Sequence, residues 1–297
     1  MKTFFFTAVI LLLSRPVDNK YQKVAFYFSG HPDDWQLFMG HHAWEDLQNK
    51  NTKVVFILTT AGDAWLGMKK LDNANQPYYK ARETGFIHAV KWAAKGAFSI
   101  DSSGRATHSL SGYELDTILI EGHKPHPVKY FETKNAHAYL LYLYDGMPDG
   151  SHPNSLHQLK NGQKIYTIDS STHYQSWEDL SLTIQNIVKR ERGDSKITIH
   201  IAETDTIKNP GDHSDHRLTA HLANHATADI CADYYRYVTY HSRNLDKNLS
   251  ADKKQIKKFL FSANALAKEK VGYDSPWEPV HLSWTSRAYW SKQSCDN

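Results

Sequence analysis

A chain of 297 residues with 40% apolar and 23% charged residues can bury one large core and is ordinary for a globular protein. Its formal charge of +3 at neutral pH, with no dense Lys/Arg stripe, argues against nucleic acid as a partner. Aromatic residues make up 12%, which suits a sugar-binding cleft and an ordinary core equally well.

In chain order, Met1-Lys2 is followed by an apolar stretch from Phe4 to Leu13, then Ser14 and the polar Arg15-Pro16-Val17-Asp18. Residues 1–14 read as a secretion signal, since a membrane span needs about 20 apolar residues. Leu12 stands where a smaller residue is usual before cleavage, so an uncleaved anchor or a buried apolar segment is the alternative. The expectation is an exported protein, periplasmic or secreted, with no stable membrane span. Val24 to Ser29 and Val54 to Thr60 are short, β-rich and apolar throughout, as strands covered on both faces should be. A helix over Trp35 to Lys50 between them completes a βαβ unit, and a second helix is expected from Tyr78 to Lys95. Thr117 to Ile120, Ala138 to Tyr144, Ile197 to Ala202 and Tyr234 to Tyr240 are further strand candidates. Leu180, Ile184, Ile187 and Val188 repeat at helical spacing, as do Ile256, Phe259, Leu260, Ala263 and Leu266. The alternation predicts a single α/β domain, Rossmann-like, with a mostly parallel sheet and helices on both faces.

Several features read as structural. The region 145–176 is rich in Gly, Ser, Asn, His and Pro and is expected to form long loops that border a cleft. Lys253, Lys254, Lys257 and Lys258 are expected on the solvated face of a helix. Cys231 and Cys295 are the two cysteines; in an exported protein they can bridge the C-terminal tail to the body. Asn248-Leu249-Ser250 is a lone glycosylation sequon. His221 and His225 have the spacing of a helical metal pair, but no glutamate of the metalloprotease pattern lies between them. His41, His42, His123, His126, His152, His157 and His173 are scattered through helix and loop contexts.

Two clusters carry chemistry. His31-Pro32-Asp33-Asp34 stands directly behind the first strand, where ligands collect in open α/β sheets, and its carboxylates sit where a helix N-terminus stabilises anions. His213-Ser214-Asp215-His216 stands ahead of a helical pattern. Two histidines and a carboxylate with one open position form a common catalytic zinc set, and such a set also accepts Fe(II) or Co(II). Each tetrapeptide alone is more often a surface turn; one behind a buried strand and the other ahead of a helix reverse those odds. There is no serine-hydrolase elbow, phosphate-binding loop or dinucleotide fingerprint.

Residues 22 to 220 resemble the PIG-L/LmbE-like zinc-dependent deacetylases. The likeness rests on His31-Pro32-Asp33-Asp34, Leu58-Thr59-Thr60-Ala61-Gly62-Asp63, Tyr79-Lys80-Ala81-Arg82-Glu83 and His213-Ser214-Asp215-His216, in family order. It implies a deacetylase domain over 22–297 acting on an N-acetylglucosamine-containing small molecule or glycoconjugate. It also implies that His31, Asp34 and His216 bind zinc while Asp33 stays free as general base. A protonated His213 would stabilise the oxyanion, Asp215 would hold and charge His213, and Arg82 would grip sugar hydroxyls. The family usually has Glu after the two aspartates, where this chain has Trp35, which touches substrate preference and local hydrogen bonding. A zinc amidase for non-sugar substrates, a phosphoesterase and a sugar-binding module without turnover are the rival readings.

Overall fold

A computed structural model describes residues 20–95, 99–100, 106–107 and 112–295. The expected signal segment lies outside them. Eight strands form one sheet: β1 (Lys23–Ser29), β2 (Thr52–Thr60), β3 (Asp116–Glu121), β4 (Pro125–Thr133), β5 (Ala136–Leu143), β6 (Lys196–Ala202), β7 (Asp233–Val238) and β8 (Tyr289–Gln293). Their spatial order is β8-β7-β6-β1-β2-β5-β4-β3. The run from β7 to β5 is parallel, while β8 on one edge and β4 and β3 on the other are antiparallel. The fold is thus a mixed α/β domain with a mostly parallel, Rossmann-like sheet.

The helices are α1 (Gly40–Gln48), α2 (Tyr78–Lys95), α3 (Leu156–Lys160), α4 (Trp177–Arg192), α5 (Ser214–Ala226), α6 (Ala251–Lys270) and α7 (Pro279–Thr285). Alternate residues of the central strands point to opposite faces. Ala25, Tyr27, Val54, Phe56 and Leu58 pack against α1, α2 and α6, while Val24, Phe26, Phe28, Val55 and Ile57 pack against α4 and α5. Burial on both faces is why these strands carry no polar alternation. From β1 the chain winds outward to β2 and β5, then returns to lay β6 on the other side of β1. That reversal makes the C-terminal ends of β1 and β6 the topological switch point, where such sheets open a crevice.

Several expectations need correction. The first helix does not run evenly from Trp35: a π-helical turn, Trp35–Met39, leads into α1. All five of its residues are buried, and the Asp33 carbonyl accepts from both Gln36 N (3.1 Å) and Leu37 N (3.0 Å). The strand expected to reach Tyr240 stops at Val238, and Tyr240–Asn244 forms a 3-10 turn that carries Tyr240 to the crevice. Lys257 is not on a solvated face. It is fully buried, and its ammonium donates to the carbonyls of Trp284 (2.8 Å) and Arg287, joining α6 to α7. The 145–176 region does form loops, with only α3 and a small hairpin within it.

Cys231 and Cys295 are joined, fastening the chain beyond β8 to the turn before β7. The Asn248 amide is committed to the backbone of Ala288, donating to its carbonyl (2.7 Å) and accepting its N–H (2.9 Å). Among the described residues no helix is long and apolar enough to cross a membrane.

Candidate metal centre

At the switch point β1 delivers His31 and α5 delivers His216. Gly30 allows their approach: a Cβ there would stand 3.1 Å from both the Asp215 backbone and the His216 ring. The Gly30 carbonyl is held by Thr60, through its N–H (3.1 Å) and its hydroxyl (2.7 Å). His31 Nδ1, Asp34 Oδ1 and His216 Nε2 then converge. The two nitrogens are 3.1 Å apart, and Asp34 Oδ1 is 3.1 Å from His216 and 3.8 Å from His31.

The remaining atoms of these side chains are already committed. Asp34 Oδ2 accepts the His31 backbone N–H (2.8 Å). His31 Nε2 donates to Asp215 Oδ2 (3.2 Å), and His216 Nδ1 donates to Asp212 Oδ1 (2.7 Å). Each carboxylate thereby fixes a tautomer whose other nitrogen turns its lone pair toward the convergence point. Two lone pairs facing each other at 3.1 Å beside a carboxylate repel unless a cation or proton lies between them. Burial opposes charge on His216, yet Asp34 and Asp212 outweigh it and push its pKa well up; His31 is raised too, Asp145, Asp215 and Asp34 overcoming its burial. The pocket favours positive charge, and the donor set fits a divalent cation.

Asp212 was not singled out from the sequence, although it directly precedes the second cluster. Its Oδ1 also accepts from Thr239 Oγ1 (2.5 Å), and its Oδ2 accepts from Asn209 (3.0 Å). Asp212→Asn is expected to weaken cation binding by about 10–100-fold, the usual effect of losing such an outer carboxylate. Competitive metal titration measures this, and unchanged affinity would remove Asp212 from the centre.

His31 and Asp34 open onto a cavity of about 260 Å³, also lined by Asp33, Arg82, Asp145, His213, Tyr240, His281 and Trp284. Asp33 belongs to neither group of described residues able to hold a metal, but it is paired. Arg82 donates to both of its oxygens at 2.8 Å, and although burial works the other way, this pairing holds the Asp33 carboxyl well below the usual carboxylate range. Gly62 makes room for the pair. Its φ of +57° suits glycine, and a Cβ would meet Pro32 at 2.6 Å and Arg82 at 3.0 Å. Arg82 does not pair with Glu83, which instead receives Lys80, Tyr113 and Tyr142.

His213 is the N-cap of α5, and its Nδ1 accepts the Asp215 backbone N–H (3.2 Å). No hydrogen bond joins the side chains of Asp215 and His213: Asp215 Oδ2 lies 3.7 Å from His213 Nδ1, within ion-pair reach, and bonds His31 and Gly146 N (2.8 Å). Burial, then the neighbouring His31 and His216, push the His213 pKa far down, so its ring is neutral and carries its proton on Nε2. That nitrogen is 3.7 Å from Asp145 Oδ1. Asp145 opens the loop region that the sequence assigned to the cleft border. Asp63 positions it, accepting the Asp145 N–H (2.8 Å) while also binding Gly67 N (2.8 Å).

Trp35 does not line the cavity. It is buried in the core against Phe56, with ring centroids 4.7 Å apart, so the position that departs from the family pattern belongs to the core. His221 and His225 are exposed on α5 and belong to neither group of described residues able to hold a metal. His281, Tyr240 and Trp284 come from segments outside the motifs. At the mouth Ala64 and Trp65 both have left-handed backbone, with φ of 47° and 66°, and hold the Trp65 ring 54% exposed. Such strain in two successive non-glycine residues is typical of ligand-handling loops.

No protein-family model matches the chain, and no curated protein matches it. Among solved structures it is similar to GalB, the 4-carboxy-2-hydroxymuconate hydratase of Pseudomonas putida KT2440, at 11% identity over 89% of this chain and 83% of that one, with a TM-score of 0.45. It is also similar to a deacetylase of the teicoplanin biosynthesis pathway, at 14% identity over 84% of each chain, with a TM-score of 0.42. Similarity at that level carries no functional inference; the likeness to PIG-L/LmbE-like deacetylases rests on the motif residues.

Proposed function

We propose that this protein is an exported, metal-dependent hydrolase that removes the acetyl group from an N-acetylglucosamine-type sugar within a glycoconjugate. The observation that carries this reading is the convergence of His31 Nδ1, Asp34 Oδ1 and His216 Nε2 beside a cavity lined by His31, Asp34, Asp33 and His213. A divalent cation held by that triad, zinc or else Fe(II) or Co(II), would lower the pKa of a bound water to about 7 and polarise an acyl oxygen.

The chain's own groups supply the rest. Asp33 accepts the proton of the attacking water, and Arg82 orients its carboxylate for that transfer. The neutral His213 donates its Nε2–H to the acyl oxygen as negative charge develops there, a contribution worth roughly 3–4 kcal/mol for one such donor. Asp33 then returns its proton to the departing amine. Asp215 acts through His31, fixing its ring, and not through His213. With Arg82 engaged by Asp33, sugar hydroxyls meet its free edge and the aromatic rim of Trp65, Tyr78, Tyr240 and Trp284.

Beyond Tyr78, Arg82 and His281 a second hollow of about 310 Å³ opens, lined by Leu66, Leu71, Tyr273 and Pro276 among others. This continuation favours a conjugate over a free monosaccharide. The disulfide suits an oxidising compartment and supports export. Release of primary amine from N-acetylated amino sugars, chitooligomers and N-acetylglucosamine conjugates tests the reading, using metal-loaded protein. Release from sugars is expected, with conjugates turned over fastest. Hydrolysis confined to non-sugar N-acyl compounds would replace the substrate class, and silence on all amides with the cation bound would overturn the reading.

A further inference from the structure

The metal cavity and the second hollow share three lining residues, Tyr78, Arg82 and His281, which form the neck between them. Two of the three are committed to protein partners. Arg82 spends both terminal nitrogens on Asp33 (2.8 Å each), and its Nε lies against Gly62, 3.2 Å from where a Cβ would stand. Tyr78 receives the Lys268 ammonium at its hydroxyl (3.1 Å), and the same ammonium stands 4.9 Å from its ring centroid. His281 differs. Neither of its ring nitrogens has a hydrogen-bond partner among the described residues, and Nδ1 is enclosed while Nε2 is not.

Packing alone holds this ring. It stacks on Phe261 of α6 (centroids 5.1 Å apart, planes at 19°) and meets Trp284 edge-on at 5.5 Å. Its helix, α7, is tied to α6 by Lys257, which donates to the Trp284 carbonyl (2.8 Å). A side chain needed only to fill that space would be apolar, because an enclosed nitrogen without a partner costs stability that an apolar ring avoids. Buried N–H groups without an acceptor are rarer than buried acceptors without a donor, so the ring proton rests on the open Nε2. Burial lowers the His281 pKa, so at neutral pH that nitrogen is an uncharged donor on a rigid support.

The hydrolase reading above, on which this step rests, puts the amide nitrogen on C2 of the sugar beside Asp33. Asp33 and Arg82 lie close enough to His281 to bias the charge of its ring. In a glycoside the neighbouring carbon that bears the linkage is C1, so the oxygen at C1 comes to the neck and the attached group lies beyond it. We propose that His281 is a specificity-determining residue that donates from Nε2 to the oxygen at C1 of an amino-sugar glycoside. It thereby directs the attached group into the hollow, where Leu66, Leu71, Tyr273 and Pro276 favour a group with an apolar face.

Calorimetric binding to the full, zinc-loaded protein tests this without turnover, using β-phenyl glucosaminide and the anhydro amino sugar that lacks the oxygen at C1. The glycoside is expected to bind more tightly. His281→Phe keeps a ring against Phe261 and loses both nitrogens, and it should cut the advantage of the glycoside by about fivefold, the effect of one neutral hydrogen bond. His281→Gln, whose amide can stand where Nε2 stands, should restore most of it. Equal binding of the two ligands by the wild type, or the full advantage kept in His281→Phe, overturns the proposal. Equal weakening of both ligands in His281→Phe marks a packing role and overturns it too. If the binding pattern holds while neither N-acetylated counterpart is hydrolysed, His281 keeps its role and the hydrolase reading alone fails.

Discussion

Asp33→Asn is expected to slow amide hydrolysis by about 10²–10⁴-fold, the range of general acid–base catalysis, while leaving the cation in place. The change is nearly isosteric, and none of the three converging donor atoms belongs to Asp33. The Asn carbonyl can still accept one of the two Arg82 hydrogen bonds. Only the ability to take a proton from water and return it to the amine is removed. The bidentate Arg82 contact sharpens this expectation. A carboxylate held far below its usual range is ionised throughout the neutral region, so the base form is always present, but it is a weak base. Replacing Arg82 with Met removes that hold, and the acid limb of the kcat/KM profile should move to higher pH. A near-wild-type rate in Asp33→Asn would remove Asp33 from the proton path and pass the role to the remaining cavity carboxylate, Asp145.

Much of this arrangement was legible in the sequence, and what was not has identifiable physical causes. Strands β1 and β2 announce themselves because both faces are covered and their centres, Val24 to Phe28 and Val54 to Leu58, are apolar without a break, and β6 through Ile197, Ile199 and Ile201. Strand β4 does not: Pro125, His126, Pro127 and Lys129 break the pattern, since it pairs outside the parallel core and next to the edge strand. Strand β8 is almost wholly exposed and leaves no hydrophobic trace. The triad His31, Asp34 and His216 was readable because its members sit in short motifs at element ends. Its supports were harder to find. Asp212 acts one turn before His216 and Asp145 opens a loop, and neither position has a residue pattern that separates it from an ordinary turn. His281, Tyr240 and Trp284 reach the cavity only through packing: Tyr240 stacks on Trp284 with centroids 4.9 Å apart, and His281 stacks on Phe261 at 5.1 Å. The hydrogen-bond partners of Asp215 and His213 are hidden for a related reason. Proximity in sequence suggested that they pair, but the N-cap geometry turns the His213 Nδ1 to the backbone and leaves Asp215 facing His31.

His216→Ala should abolish both cation binding and turnover, and the coupling of the two separates it from Asp33→Asn. The substitution removes one of three donors and strands two buried carboxylates, Asp34 and Asp212, without the ring between them. Leaving buried charges unpaired typically costs about 3–5 kcal/mol, so the variant should also unfold at lower temperature in the absence of metal. That loss alone does not report on ligation, because His216 also packs edge-on against Tyr240 with ring centroids 4.9 Å apart. The cation-induced shift does. A ligand present at a hundred times its dissociation constant stabilises the native state by about 2.7 kcal/mol, which raises the unfolding temperature of wild type and of Asp33→Asn alike. His216→Ala should show no such rise at any concentration that saturates the wild type. Scanning calorimetry with and without zinc therefore reads ligation apart from packing. A preserved shift in His216→Ala would move the cation away from Asp34, toward the neighbouring group of His31, Asp145, His213 and Asp215, the other cluster among the described residues whose donor atoms lie within 4.8 Å of one another.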